Sequence, residues 1–321
     1  MKQNRTIGCD DTGVLLITPP VVPDLSGDPR GERIREVLEK AIADGKPSIK
    51  ANMWGHYASR LPVVAFDFTV SRHRDGPDEV LADFEGNLLG DCWSGFQKID
   101  VRSDDRITFA ACWSHARRKI DECRGAFPMQ VAKLESLIRM LYDVEDQIRS
   151  LGEAERLARR QSLSRHVLGL IERYLASEAM SFPVVLPKSN LGQAAAYGRC
   201  HWEALVRYTE DASIPIDNND CEHLMKRVAV GRKNWLFKGS VATGQRAVNL
   251  MTIVATQSAM TWTWVPTYTT SWSARWGAKR TGRQWPHTRG RRSILNRFAR
   301  TAKRNGVSQP TASEPAAPAV A

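Results

Sequence analysis

The sequence predicts an α/β fold: a mixed five-stranded sheet with flanking helices, interrupted by an all-helical insertion and followed by a disordered basic tail. Strand-like apolar patterns recur between residues 6 and 113, separated by loops and short helical patterns. After Pro128 the apolar residues take helical spacing, without a strand pattern until about Phe182. Beyond residue 260 neither periodicity persists.

The first part of the chain alternates strand and helix patterns. Residues 6–17 form a predicted strand that carries Asp10 and Asp11, and residues 34–45 have helical spacing that ends in a glycine. In residues 63–71 apolar and small or polar side chains alternate, as is typical of a half-buried strand. Further predicted segments are a strand at 48–58, a short helix at 76–86, an apolar run at 87–96, a strand at 107–113 and a helix from His115.

Helical spacing dominates the middle of the chain. Apolar residues from Leu134 to Leu151 predict an amphipathic helix, and residues 157–175 predict a second one. Residues 187–211 are predicted to be a loop and then a helix. Residues 245–260 predict an apolar helix that is rich in Ala, Val, Leu and Met.

Composition indicates a globular protein of a reducing compartment. The 321 residues are 42% hydrophobic and 25% charged, which suffices for a sizeable core. The 6 cysteines are scattered without a C-x-x-C pair, which argues against a zinc ribbon and a disulfide scaffold. Neither an apolar run long enough to span a bilayer nor a signal-peptide core is present. We therefore expect a cytoplasmic protein without a membrane partner.

The net charge of +11 is concentrated at the end of the chain. Residues 262–321 contain eleven Lys or Arg and one acid, Glu314, so the preceding residues are close to neutral. Two interpretations of this Arg/Trp-rich tail stay open. It could bind nucleic acid through phosphate contacts and stacking, or it could be the product of a shifted reading frame.

Residues 215–239 combine a turn, a helix and a basic segment. Asn and Asp after Pro215 favour a turn and a helix N-terminus, and the apolar spacing that follows predicts a short helix with Glu222 in its first turn. The GRKNW segment is predicted to be a cationic, hairpin-like turn. A carboxylate beside so many cations suggests a metal ligand next to a polyphosphate surface. The alternative is an exposed Glu222–Lys226 pair on a solvated basic face.

Three acids stand out by their positions. Asp10 is on the first predicted strand, Asp91 interrupts an apolar run in which an unpaired carboxylate is costly, and Glu222 opens the late helix. One strand, a three-stranded meander, a helix and a second acidic strand are the order of a ribonuclease H-like core, whose first and fourth strands are neighbours. That fold would bring the three acids together around two divalent ions, which assist in-line displacement at phosphorus. Most of the competing acids are expected to be surface charges: Asp67, Asp83, Asp100, Asp104 and Asp105.

Several motifs resemble those of one family, in the family's order. PIDNNDCEHLMKRVAVGRKNWLFKGS, at residues 215–240, resembles the C-terminal signature of DDE transposases of the insertion-sequence-66 family. CDDTGV at 9–14, NLLGDCWSGF at 87–96, CWSHARRK at 112–119 and the segment at 187–211 resemble further parts of that family. The resemblance extends from about residue 8 to residue 260.

The resemblance implies a catalytic, metal-binding triad of Asp10, Asp91 and Glu222, with Asp11 standing where the family commonly has Glu. The implied cofactors are two Mg²⁺ or Mn²⁺ ions. The implied reaction is cleavage at transposon ends by water, followed by attack of the freed 3′-hydroxyl on target DNA, without a covalent protein intermediate. The implied partners are DNA and, in an oligomer, a second copy or the full-length transposase, in the bacterial cytoplasm at the nucleoid.

The same resemblance implies a set of residues near DNA. His115, Arg117 and Arg118 match the second segment, where they would contact phosphate or support the active site; a structural cap is the alternative. The residues of the late segment that would hold DNA are Lys226, Arg232, Lys233 and Trp235. Trp235 could equally be a core residue.

The comparison with the family divides the chain into four expected parts. Residues 1–127 and 208–260 would form the catalytic core, 128–207 a helical insertion and 261–321 a disordered basic tail. The family's N-terminal coiled coil and zinc-binding region have no counterpart, and Gly13 and His223 depart from its motifs. We therefore expect a truncated transposase. Two alternatives stay open: a non-catalytic DNA-binding or regulatory remnant, and an inactive, decayed transposase.

Overall fold

A computed structural model describes residues 5–59, 63–235 and 237–262, which form an α/β fold around a mixed six-stranded sheet. The strands are β1 (Thr6–Ile17), β2 (Ser48–Ala58), β3 (Val64–Thr69), β4 (Gly86–Gly90), β5 (Ile107–Ala111) and β6 (Phe237–Lys238). The α-helices are α1 (Gly31–Ala43), α2 (Asp75–Val80), α3 (Ser94–Gln97), α4 (Ile99–Arg102), α5 (Trp113–Asp121), α6 (Pro128–Ile148), α7 (Glu153–Arg159), α8 (Arg165–Leu175), α9 (Asn190–Cys200), α10 (Trp202–Val206), α11 (Asn219–Trp235) and α12 (Val241–Trp262).

The long strand β1 organises the sheet. The strand order is β3-β2-β1-β4-β5, with β2 antiparallel to β1 and β4 parallel to it. β4 pairs with residues 6–8 of β1, whereas β6 pairs in parallel with residues 15–16 of β1. The predicted five-stranded sheet therefore has a sixth strand. β6 is too short to produce an alternating pattern in the sequence.

Two apolar clusters pack against this sheet. One joins β1, β2 and β3 to α1, α11 and α12, and it contains Val14, Met53, Phe68, Met225 and Val248. The other joins β4 and β5 to the helices between α5 and α10, and it includes Leu88, Phe109, Trp113, Ile138 and Leu191. Helices therefore pack on those strand segments in which the sequence has continuous or alternating apolar residues.

The helices α6–α10 account for the helical spacing after Pro128. A π-helical turn, Arg160–Ser164, joins α7 to α8. Arg160 is buried, and its Nε and Nη2 donate to the two carboxylate oxygens of Glu145 at 2.8 and 2.7 Å. Its Nη1 donates to the carbonyls of Tyr208 and Ile214, both at 2.9 Å. One buried, fully paired charge therefore ties these helices to the segment that leads into α11.

The late helix corrects one prediction. α11 continues through residues 231–235, so the hairpin-like turn predicted for GRKNW is wrong. A single glycine costs a helix only about 1 kcal/mol, and buried Val228 keeps the helix packed on the sheet. Arg232 Nη1 also donates to Thr12 Oγ1 and to the Gly13 carbonyl at 2.9 and 2.6 Å, which holds the end of the helix against β1.

Other predictions concern the cysteines, the membrane and the tail. All six cysteines are free thiols, in agreement with their scattered spacing. None of the described helices combines the length and the apolar character that crossing a bilayer requires. The tail beyond residue 262 and the side chain of Trp235 lie outside the described residues.

Candidate active site

The three predicted acids lie on elements that meet at the centre of the sheet. Asp10 is in the middle of β1, Asp91 directly follows β4, and Glu222 is in the first turn of α11. The parallel register pairs Gly8 with Leu89. If this register is continued by two residues, Asp10 lies beside Asp91, just beyond the last paired residues of the two strands. The sequence-predicted acids are therefore brought together.

The carboxyl group of Asp10 is half-buried and lies close to other acids. Burial raises its pKa to about 7, and the nearby charges of Asp11, Glu222 and Asp91 act in the same direction. The backbone N–H of Asp11 donates to Asp10 Oδ1 at 2.9 Å and offsets part of this effect. A carboxylate that is crowded by other carboxylates favours a cation nearby.

Asp11 belongs to a different environment, because successive side chains of a strand point to opposite faces. Arg72 Nη2 donates to Asp11 Oδ1 at 2.8 Å, and Asn52 Nδ2 donates to Oδ2. Burial raises the pKa of Asp11, whereas Arg72 lowers it. The Arg72 guanidinium also lies 3.7 Å from Asp91 Oδ2 and stacks 4.9 Å from the Trp93 ring centroid. Asp11 is thus paired with protein groups.

Glu222 is largely buried and touches helix α5. Arg118 Nη2 donates to its Oε2 at 3.1 Å, and His115 Nδ1 lies 3.4 Å from its Oε1. Neither His115 Nδ1 nor Glu222 Oε1 makes a hydrogen bond to any described residue. Burial lowers the pKa of His115, against the opposing effect of the Glu222 charge. Two residues predicted near DNA therefore contact the predicted third metal ligand.

Asn218 and two glycines place the start of α11 on the sheet. The buried Asn218 side chain donates to the Cys9 carbonyl at 2.8 Å, and its backbone N–H donates to Cys112 Sγ at 3.2 Å. A side chain at Gly8 would collide with Asn218, and a Cβ at Gly55 would lie 2.5 Å from Met225 Sδ. This close approach sets Glu222 beside Asp10.

The remaining basic residues lie on α5 and α11, the two helices that meet at Glu222. Arg117 is half-buried on α5. Burial raises the pKa of the Tyr142 hydroxyl, and the positive charge of Arg117 offsets part of this effect. Lys226 and Lys233 are exposed on α11. Arg232 is also exposed, but its guanidinium bonds to β1 as described above. Contact of any of them with DNA stays a prediction, and the side chain of Trp235 is outside the described residues.

The donor set of this centre fits a hard divalent cation. Asp10, Asp91 and Glu222 offer only carboxylate oxygens, the ligands that Mg²⁺ and Mn²⁺ prefer. The buried Glu222 Oε1 has no hydrogen-bond partner among the described residues, and a buried acceptor without a partner is costly. Mutual repulsion at Asp10 adds to this need for a positive charge.

The residues that support the acids have little or no signal in the sequence. Arg72 follows a predicted strand in a charged segment, and nothing in its pattern indicates a partner 61 residues away. Asn218 had a signal, since Asn favours helix N-termini, but its bond to β1 spans 209 residues. Cys112 is buried, and its sulfur accepts a hydrogen bond from the start of α11, which nothing in its local pattern indicates.

A family model described as "Transposase IS66 family" matches residues 36–246, a region that contains Asp91 and Glu222 and begins after Asp10. Uncharacterized protein y4hP of Sinorhizobium fredii (strain NBRC 101917 / NGR234) is 30% identical over 210 residues, which are 61% of this chain and 38% of that protein. Uncharacterized protein y4qI of the same strain is 31% identical over 243 residues, 70% of this chain and 44% of that protein. The chain thus spans less than half the length of these curated relatives.

Proposed function

The chain belongs to the IS66 family of transposases, and from this membership we propose that it cleaves and joins DNA strands by metal-dependent phosphoryl transfer. The observation that carries the proposal is the convergence of Asp10, Asp91 and Glu222 from three separate elements. We propose these three acids as the catalytic metal ligands. The sheet order supports a ribonuclease H-like core, because β1 and β4 are neighbours.

Each protein group has a distinct part in this proposal. Bound at the triad, two Mg²⁺ or Mn²⁺ ions would stabilise the attacking and leaving oxygens of an in-line displacement at phosphorus. Asp10, with its raised pKa, would release any bound proton when it becomes a ligand. Arg118 would hold Glu222 Oε2, and Oε1, which has no hydrogen-bond partner among the described residues, would bind the metal. Water would attack first, and the freed 3′-hydroxyl would then attack target DNA.

DNA is the proposed substrate and partner. Exposed cations lie on two helices at the acidic centre: Arg118 on α5, which contacts Glu222, and Lys226, Arg232 and Lys233 on α11, which carries Glu222. Such residues bind phosphates without regard to sequence. We propose residues 1–127 and 208–260 as the catalytic core and residues 128–207 as a helical insertion. A second copy or a longer family member is the proposed oligomer partner.

A nicking assay tests the proposal. Supercoiled plasmid is incubated with the chain and Mg²⁺ or Mn²⁺, and nicked circles are quantified. Glu222→Gln, Asp10→Asn and Asp91→Asn should each lower the rate at least about a hundredfold, because each removes a ligand charge. Asp104→Asn is the matched control, since this acid is exposed and its positive φ of 52° is one that Asn tolerates. Equal nicking by the Glu222→Gln and unaltered chains would refute the triad, and DNA binding without nicking would favour a non-catalytic role.

A further inference from the structure

A second kind of ligand set adjoins the carboxylate centre. Cys112 immediately precedes α5, His115 follows in its first turn, and Glu222 approaches from the first turn of α11. The thiol sulfur, an imidazole nitrogen and a carboxylate oxygen of these residues all lie within 4.8 Å of one another. Two helix starts therefore direct three different metal-ligating atoms to one point.

Two of these atoms are polar and lack a hydrogen-bond partner among the described residues. They are His115 Nδ1 and Glu222 Oε1, which are buried and lie 3.4 Å apart. Ligand atoms about 2.0–2.3 Å from a tetrahedral Zn²⁺ are roughly 3.3–3.7 Å apart. The separation of the nitrogen and the oxygen already matches that spacing. A cation bound to both would satisfy the two buried atoms at once.

The chemistry of the set differs from that of the triad. Thiolate and imidazole suit Zn²⁺ and Co²⁺, whereas Mg²⁺ takes oxygen ligands. Three protein ligands and one water complete a tetrahedral Zn²⁺ site. Binding needs the neutral imidazole with its proton on Nε2, and the Cys112 thiol must release its proton to solvent as the sulfur–metal bond forms.

We propose that Cys112, His115 and Glu222 form a binding site for Zn²⁺. This site shares Glu222 with the triad. Arg118 holds Glu222 Oε2, so both ions need Oε1, and Zn²⁺ binding and the use of Glu222 by Mg²⁺ exclude each other. Zn²⁺ therefore inhibits Mg²⁺-supported DNA cleavage. The binding stands independently of the proposed function, whereas the inhibition rests on it.

Co²⁺ is the probe for the binding test, because a cobalt–thiolate bond has an intense near-ultraviolet charge-transfer band. The unaltered chain should show this band when Co²⁺ is added. Zn²⁺ should then displace Co²⁺ and abolish the band. Cys112→Ser should abolish the band, while the serine hydroxyl keeps an acceptor for the Asn218 N–H. His115→Asn should weaken Co²⁺ binding at least about tenfold. Cys200→Ser is the control, since this thiol is exposed and lies outside the cluster.

The outcomes separate the two proposals. Absence of the band in the unaltered chain, or an unchanged band in folded Cys112→Ser, overturns the Zn²⁺ site. Circular dichroism establishes that each variant is folded. A band that depends on Cys112 in a chain that does not nick DNA supports the Zn²⁺ site and refutes the proposed function instead. In an active chain, Zn²⁺ should inhibit Mg²⁺-supported nicking at least about tenfold less in Cys112→Ser than in Cys200→Ser.

Discussion

The side chain of Asn218 occupies the space that a side chain at Gly8 would need. From this position it donates to the carbonyl of Cys9, one residue before Asp10. Asp10 lies two residues after Gly8, on the same face of β1. Gly55 of β2 is directly opposite Asp10. The start of α11 therefore rests on glycines of two neighbouring strands. This contact decides how near Glu222 comes to the carboxylate on β1.

Gly8→Ala should destabilise the protein more than Gly55→Ala. At Gly8 the added methyl group meets the Asn218 side chain, which its bond to Cys9 holds in place. At Gly55 it meets the flexible thioether of Met225, which can move aside. Overpacking of this kind costs about 1–3 kcal/mol. We expect the upper part of that range for Gly8→Ala, together with a larger loss of nicking, measured by urea denaturation and the plasmid assay.

Gly125→Ala is the control for these two variants. A Cβ at Gly125 meets no atom within 4 Å, so this change should leave stability the same or slightly higher. Equal destabilisation by all three substitutions would show that backbone freedom, and not the approach of α11, is the reason for the glycines.

Arg72→Gln should strengthen divalent-metal binding. The guanidinium lies 2.8 Å from Asp11 Oδ1 and 3.7 Å from Asp91 Oδ2, so it competes with a metal for the same negative charge. Two unit charges 4 Å apart interact by about 1 kcal/mol in water, and loss of this cation should lower the Kd for Mn²⁺ about fivefold. Electron paramagnetic resonance of free Mn²⁺ measures the change. Arg74→Gln, at an exposed arginine two residues away, is the control. Weaker Mn²⁺ binding in Arg72→Gln would instead assign Arg72 a role in holding the acids in place.

Arg160→Met should be among the most destabilising changes in the helical segment. It leaves the Glu145 carboxylate and the carbonyls of Tyr208 and Ile214 without their donor. Breaking a buried ion pair costs about 3–5 kcal/mol. Arg160→Lys should be only partly better, because an ammonium group lacks the guanidinium fork. Chemical denaturation measures each change.

The exposed Arg149 supplies the comparison for Arg160. It pairs with Asp146 one helical turn away, and both side chains are more than 60% exposed. Arg149→Met should therefore change the unfolding free energy by less than about 1 kcal/mol. A similarly small effect of Arg160→Met would show that the segment before α11 is held by apolar packing alone.

His56 should make stability fall as the pH decreases below about 6.5. The side chain is buried in β2, neither ring nitrogen has a hydrogen-bond partner among the described residues, and burial lowers its pKa from 6.5 to about 4. In this range the unfolded chain binds a proton and the folded chain does not. Stability is thus full above pH 6.5 and is lost progressively as the pH falls towards 4. At 1.36 kcal/mol per pH unit, the loss amounts to ~3 kcal/mol.

His56→Phe removes this titration and keeps an apolar ring in the core. The unfolding free energy of the variant, measured by urea denaturation at several pH values, should fall about 3 kcal/mol less than that of the unaltered chain between pH 6.5 and 4. Identical pH profiles for the two proteins would contradict the neutral, buried state of His56.

Much of the fold was predictable because local patterns carry it. The alternation of residues 63–71 corresponds to β3, and the apolar spacing from Leu134 to Leu151 corresponds to most of α6. GRKNW misled because Gly and Asn favour turns locally. The helix continues there because Val228 and Arg232 contact β1 and the core, and such contacts leave no periodic signal.

Local patterns in the sequence are enough to order most strands and helices, to single out three acidic positions and to identify the family motifs around them. The family resemblance selected Asp10 over Asp11, and the fold shows why Asp10 is the aspartate that lies near Glu222. Alternation along a strand requires Asp10 and Asp11 to point to opposite faces, but the face that α11 covers depends on Asn218, Gly8 and Gly55. Arg72 and Asn52 occupy the other side beside Asp11. These partners are distant in the chain, so only folding brings their charges and close contacts together.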